Sequence, residues 1–82
     1  MINVERTLIK HHLDKGDHKV TVHARMTASA GTVYLMRFYN QFGSCYSSLD
    51  AVDETGVVTE IDRRHRFDER KMIDFVMGEE NT

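Results

Sequence analysis

Residues 51 to 61, with the sequence Ala-Val-Asp-Glu-Thr-Gly-Val-Val-Thr-Glu-Ile, constrain the fold more than any other segment of the chain. Two runs that contain β-branched residues flank a polar turn with Gly56 at its end, which is the pattern of a β-hairpin. A three-residue loop ending at Gly56 requires a left-handed backbone there, and glycine adopts it without steric penalty. This loop predicts that Val52 pairs with Val58.

Two registers are possible further along the same hairpin. The three-residue loop places Leu49 opposite Ile61, whereas a four-residue loop would place Leu49 opposite Glu60. We favour the first register because it keeps apolar residues together on each face. It also places Asp50 opposite Glu60, an arrangement that solvent has to screen. We therefore expect this edge of the sheet to face water.

Alternating apolar and polar residues predict the other strands of the sheet. The period of two is regular in residues 18 to 27, and residues 32 to 40 carry apolar side chains on both faces, as a central strand does. Together with residues 45 to 52 and 57 to 61 of the hairpin, these segments make four consecutive strands. Short connections between them favour an antiparallel meander.

A helix is predicted at each end of the chain. Residues 4 to 15 follow Asn3, whose side chain can accept a hydrogen bond from a free backbone N–H, and they precede Gly16, a residue suited to a helix end. Residues 69 to 77 follow Asp68, which can cap the second helix in the same way.

The predicted fold class is therefore α+β, with the order α-β-β-β-β-α. The simplest architecture is a four-stranded antiparallel meander with both helices on one face. We expect residues 1–82 to form a single domain, with residues 79–82 as a disordered tail.

Cysteine content and charge narrow the possible functions. Cys45 is the single cysteine, so no intrachain disulfide can form, which fits a reducing compartment. The sequence contains neither an apolar run of about 20 residues nor the pattern of a secretion signal, so we expect a cytoplasmic protein with no membrane association. Residues 1–49 carry six basic and three acidic side chains, and residues 50–82 carry five and ten. The acidic total argues against general nucleic-acid binding.

The sequence does not support catalysis or metal binding. Glycine-rich phosphate loops and His-Glu-x-x-His zinc sequences do not occur. His11 and His12 point about 100° apart on a helix, so both cannot easily bind one ion. Cys45 with His23 could supply a nucleophile and a base, but no catalytic signature surrounds them. We predict a protein that is not an enzyme and has no cofactor or metal, with His12 at the edge of the core.

One face of the predicted sheet carries the strongest indication of a partner. If both helices cover the opposite face, an apolar patch with adjacent cations remains exposed, and it comprises Arg25, Leu35, Arg37 and Tyr39. Tyrosine and arginine are enriched at binding hot spots, and an uncovered apolar face is typical of an interface. We predict that this face binds a protein partner, which includes a second copy of the chain. On size alone, such a chain is typical of an inhibitor or regulator, as in antitoxin-like and viral or bacterial counter-defence proteins.

The alternative function is binding of RNA or single-stranded nucleic acid. The basic run at residues 63–66 could contact phosphates, and cations on the predicted open face could extend that surface. The residues of this alternative site are Arg63, Arg64, Arg66, Lys19 and His23. The element order resembles that of the double-stranded-RNA-binding domain, α-β-β-β-α, in topology. That family's alanine-rich final helix is absent here, and the resemblance implies no residue roles.

Overall fold

The computed structural model describes residues 2–29, 31–65 and 67–80, except for the side chains of residues 79 and 80. Its elements are α1 (Val4–Asp14), β1 (His18–Ala28), β2 (Gly31–Tyr39), β3 (Cys45–Val52), β4 (Val58–Arg64) and α2 (Glu69–Glu80). Each strand pairs antiparallel with the next, and the sheet order is β1-β2-β3-β4. The predicted α-β-β-β-β-α fold class is therefore confirmed. Arg66, Asn81 and Thr82 lie outside the described residues.

Both helices begin at the predicted caps. Asn3 Oδ1 accepts a hydrogen bond from the backbone N–H of Arg6 at 3.0 Å, and Asp68 Oδ1 accepts one from Lys71 at 2.8 Å. Each cap satisfies a backbone donor that the first turn of a helix leaves free. The predicted end of the second helix is wrong, because α2 continues through Gly78 to Glu80. Residues 79 and 80 therefore belong to the helix and not to a disordered tail.

The hairpin between β3 and β4 has the predicted loop. Val52 pairs with Val58, Asp50 pairs with Glu60, and Gly56 has a φ of 89°. A β-bulge then shifts the register, so that Leu49 pairs with Asp62 and not with Ile61. The bulge adds one residue to β4, which a regular period of two does not anticipate.

The helices pack against opposite faces of the sheet, so the prediction that both lie on one face is wrong. Leu35 and Met36 are consecutive in β2 and therefore point to opposite sides. Leu35 belongs to a core cluster with Met72 and Val76 of α2, whereas Met36 belongs to a cluster with Leu8 of α1. The apolar side chains on both sides of β2 are explained by this double cover.

A β-bulge in β1 distributes that strand between the two core clusters. Val22 pairs with Met36, but Ala24 pairs with Leu35, so the extra residue is His23. Val20 and Val22 accordingly pack on the α1 side of the sheet, and Ala24, Met26 and Ala28 pack on the α2 side. The predicted division of this strand into one apolar and one polar face fails at the bulge.

Neither of the helices in the described part of the chain is long and apolar enough to cross a membrane.

Candidate functional site

The most unusual feature of the core is a buried histidine between two carboxylates. His12 Nδ1 lies 2.9 Å from Asp17 Oδ2, and His12 Nε2 lies 2.5 Å from Asp50 Oδ2. His12 and Asp50 are 0% exposed and Asp17 is 5% exposed. Since both ring nitrogens face carboxylate oxygens, each donates a hydrogen bond, and His12 is an imidazolium. The ring also stacks on Phe38, at 4.6 Å between centroids.

Ion pairs extend this network towards the surface. The Arg63 guanidinium donates to Asp17 Oδ2 at 3.0 Å and to Glu60, and Lys15 Nζ donates to Glu60 Oε2 at 2.6 Å. Three cationic groups thus meet three carboxylates. The prediction that solvent screens the Asp50–Glu60 edge is wrong, because the positive charges of His12 and Arg63 balance the two carboxylates.

The network shifts the pKa of its members. Burial alone would lower the pKa of His12, but hydrogen bonds to Asp50 and Asp17 outweigh it and raise the pKa above 6.5. Burial would raise the pKa of Glu60, but the hydrogen bonds from Arg63 and Lys15 lower it to about 2. The pKa of Asp17 is likewise lowered, because hydrogen bonds from Arg63 and His12 outweigh its burial. Each group is held in its charged form.

A hydroxyl also belongs to the network, and it completes the residue set of a nucleophilic triad. Ser48 Oγ lies 3.4 Å from His12 Nε2, while Asp17 lies at Nδ1. Two features work against nucleophilic activation. Asp50 occupies Nε2 at a shorter distance, and the Ser48 hydroxyl donates to Asp50 Oδ1 at 2.8 Å. Ser48 is also 0% exposed, so no substrate can reach it in this conformation.

Metal binding does not fit the same residues. One atom each of His12, Asp50 and Glu60 lies within 4.8 Å of the others, which is a potential set of three ligands. All of these atoms already have hydrogen-bond partners, since Ser48 and His12 donate to Asp50 and Lys15 donates to Glu60. A metal ion would have to displace internal cations that already balance the charge.

The four residues predicted to form a partner-binding face are not together. Leu35 is 0% exposed beneath α2, so its predicted role as a surface contact is wrong. Arg25 pairs with Tyr34 on the α1 side, because the bulge at His23 reverses the faces of β1. Arg37 lies on the α2 side, and Tyr39 is 42% exposed with Lys19 Nζ 5.6 Å from its ring centroid.

The basic run at the end of β4 is divided in the same way. Arg63 faces the α1 side, where it binds Asp17 and Glu60 and lies over Phe38. Arg64 pairs with Asp62 at 2.8 Å and lies over the rings of Phe67 and Phe75. These two arginines therefore do not form one phosphate-binding surface, and the predicted grouping is wrong for them.

His65 and His23 have separate surroundings. The ring of His65 stacks on Tyr46 with 4.1 Å between centroids. His23 Nε2 lies 3.6 Å from Glu69 Oε1, at the start of α2. His23 is therefore close to a carboxylate on the α2 side and is not beside the Arg63 network.

A cleft of about 380 Å³ opens where α2 begins. Its lining residues are Arg37, Cys45, Ser47, His65, Phe67, Asp68 and Lys71. Arg37 of β2 pairs in register with Ser47 of β3, so their side chains are neighbours on the α2 face. Within the described part of the chain, neither Arg37 nor Lys71 forms an ion pair. We call this feature the Arg37 cleft.

Sequence reasoning found Arg37, and it considered Cys45 and the basic run that contains His65, but it missed Ser47 and Lys71 as site residues. Ser47 and Lys71 carry no signal of their own, because their meeting depends on which face α2 covers.

Of the pair His12 and Asp50, His12 had a signal, since it is a polar residue at the predicted edge of the core, whereas Asp50 was predicted to face solvent. A polar residue at the core can be expected to meet another, because buried polar groups need partners.

No protein-family model matches the chain, and neither a curated protein nor a solved structure matches it.

Proposed function

We propose that this chain is a non-catalytic module that binds a partner protein and acts as a small inhibitor or regulator. The observation that carries the proposal is the Arg37 cleft, where two cations have no ion pair in the described part of the chain. Arg63, Arg64 and Lys15 are instead paired with carboxylates. An arginine that lacks an internal partner in a cleft is available for an acidic group of another molecule.

Exposed apolar side chains on α2 support a protein partner. Ile73 is 46% exposed and Met77 is 42% exposed, and residues four apart lie on the same side of a helix. Lys71, which lines the cleft, lies about 160° around α2 from Ile73, so these exposed apolar residues form a separate contact on the other flank of the helix. The proposed interface is therefore the Arg37 cleft, with Ile73 and Met77 as a second apolar contact, and not the sheet face predicted from the sequence.

Two observations argue for a binding role without catalysis. The Ser48, His12 and Asp17 constellation is buried, and its polar groups are satisfied internally. A substrate therefore has no path to it in this structure. The Arg37 cleft contains an exposed thiol at Cys45, but no basic group hydrogen-bonds to that thiol in the described part of the chain. A nucleophile without a base within reach is not activated.

Nucleic-acid binding has less support. Arg63 and Arg64 already have carboxylate partners, which a phosphate backbone would have to displace. Arg37 and Lys71 alone are a small positive patch compared with the clustered cations of nucleic-acid-binding surfaces.

Affinity capture with charge-reversal variants tests the proposal. The tagged protein, Arg37→Glu and Arg25→Glu would be compared in extracts of its own cells, with and without nuclease. Arg25 is the matched control because it is an exposed arginine of the same sheet on the opposite face. We expect one stoichiometric protein that survives nuclease, that binds the Arg25→Glu variant, and that is lost from Arg37→Glu. Capture that disappears with nuclease would support the nucleic-acid function instead, and equal capture by both variants would contradict a role for the cleft.

A further inference from the structure

Ser47 is a buried residue whose hydroxyl has no hydrogen-bond partner in the described part of the chain. It is 4% exposed and lines the Arg37 cleft. Buried polar groups normally have a partner, since an unsatisfied group is unfavourable. The adjacent Ser48 follows this rule by donating to Asp50. The Ser47 hydroxyl differs from an enclosed orphan such as His11 Nε2, because it is reached from the cleft and is open to a ligand atom that comes from outside the chain.

Donors from three elements surround the same space. Ser47 is contributed by β3, Arg37 by β2 and Lys71 by the first turn of α2. The start of α2 adds backbone N–H groups that have no acceptor within a helix, together with the positive end of the helix dipole. Asp68 is the acidic residue of the lining, and its Oδ1 accepts from Lys71 N–H at 2.8 Å. The two unpaired cations leave the cleft with a positive balance.

The distribution of donors distinguishes between possible anions. A carboxylate has two oxygens in one plane, and a single guanidinium can satisfy both. A phosphate monoester has three terminal oxygens in a tetrahedral arrangement and a charge between about −1.5 and −2 at neutral pH, so it uses donors from several directions. We propose that the Arg37 cleft binds a phosphate monoester, carried on a phosphorylated side chain of the partner protein. This inference rests on the proposed function, because it specifies the group that the partner presents.

Amide-resolved NMR titration of the full chain tests this inference. Inorganic phosphate, phosphoserine, dimethyl phosphate and acetate would each be added at constant ionic strength. We expect saturable shifts from phosphate and phosphoserine at the amides of Ser47 and of residues 69–71. We expect no saturable shifts from acetate, or from the diester, which carries a single negative charge. Equal responses to acetate and phosphate would overturn the proposal, and equal responses to the diester would indicate a nucleic-acid backbone instead.

Three variants locate the binding site. Arg37→Gln and Ser47→Ala remove one donor each, and we expect each to raise the dissociation constant for phosphoserine about tenfold or more. Arg70→Gln is the control, because Arg70 is an exposed neighbour of Lys71 that does not line the cleft. Amide spectra of each variant establish that the fold is retained. Unchanged affinity in both donor variants would place the anion elsewhere and overturn the proposal.

Failure of this inference can be separated from failure of the proposed function. If capture of the partner depends on Arg37 but phosphate binding is not saturable, the proposed function stands and the phosphate monoester is rejected. If phosphate binding is saturable but capture is insensitive to Arg37→Glu, the phosphate site stands and its role in partner binding is rejected. A peptide from the captured partner with one phosphoserine, compared with free phosphoserine and with its own unphosphorylated form, distinguishes a phosphorylated side chain from a free phosphorylated metabolite. Tighter binding of the phosphopeptide than of phosphoserine is the expected result, and weaker binding would overturn the assignment to a side chain.

Discussion

His12 Nε2 lies 2.5 Å from Asp50 Oδ2, and neither side chain is exposed to solvent. This contact joins α1 to β3 across 38 residues of sequence. Removing one member would leave the other as a buried charge with fewer partners. We expect His12→Ala or Asp50→Ala to lower the free energy of unfolding by about 3–5 kcal/mol, as measured by urea denaturation.

A double variant and an exposed pair provide the controls for this contact. The loss in the double variant should be smaller than the sum of the single losses, because neither charge is then left alone. Lys10→Ala removes an exposed ion pair with Asp14 and should leave the free energy of unfolding nearly unchanged, because solvent screens exposed pairs. Additive effects of His12→Ala and Asp50→Ala would show that the two groups do not interact.

The same network predicts how stability depends on pH. The raised pKa of His12 gives a stabilising contribution that is complete below pH 6.5 and is lost as pH rises through its folded value. The lowered pKa of Glu60, about 2 in place of 4.5, gives a contribution that is complete above pH 4.5 and is lost towards pH 2. We expect the unfolding midpoint to be highest between these limits. His12→Gln should flatten the alkaline side of the profile. On the acidic side it should leave the contribution of Glu60 in place and reduce that of Asp17, which loses a hydrogen bond from His12.

The neighbouring residues Ser47 and Ser48 should respond in opposite ways to alanine. Ser48 donates to the Asp50 carboxylate, and a hydrogen bond to a charged group contributes about 1.5–3 kcal/mol, which Ser48→Ala should lose. The Ser47 hydroxyl has no partner in the described part of the chain, so Ser47→Ala should leave the free energy of unfolding unchanged or raise it by up to ~1 kcal/mol. Thermal or urea unfolding measures both. A clear loss in Ser47→Ala would mean that the hydroxyl supports the fold.

Two leucines test the cover that α2 provides. Leu35 is 0% exposed under α2, whereas Leu13 is 52% exposed on α1. Leu35→Ala should therefore cost about 2–5 kcal/mol and Leu13→Ala less than about 1 kcal/mol. Denaturation of the two variants under identical conditions gives the comparison. Similar small losses would mean that the Leu35 face is open, as the sequence suggested.

Two glycines should also respond in opposite directions. Gly56 has a φ of 89°, so alanine there is strained even though its Cβ would meet only Ile2 Cδ1, at 3.5 Å. Gly56→Ala should cost about 1 kcal/mol. Gly78 lies within α2 with open space at its Cβ position, and Gly78→Ala should stabilise by up to ~1 kcal/mol. Equal signs for the two changes would contradict either the turn or the helix extension.

The sequence predicted the elements well because each has a local signal. Periodicity found the four strands, and the side chains of Asn3 and Asp68 found the starts of the helices. Local signals do not report a bulge, and a single extra residue reverses every later side chain of a strand. For this reason Arg25 and Arg37 were expected on one face and lie on opposite faces.

The candidate site was harder to predict because it depends on the position of α2. The apolar residues on both sides of β2 already indicated that both faces are covered. The prediction that both helices lie on one face placed Leu35 at the surface, and it gave no reason to expect Ser47 and Lys71 near each other. Arg37 remained in the site because an arginine on that face can be near the cleft whether or not α2 covers its neighbours.

The bulge at His23 has a mechanical consequence. Since β1 supplies Val22 to the α1 side and Ala24 to the α2 side, one edge strand is shared by both halves of the interior. Detaching β1 would remove packing from both halves at once. We therefore expect the two halves to unfold as one cooperative unit. A ligand bound at α2 would then also stabilise α1 on the opposite side of the sheet.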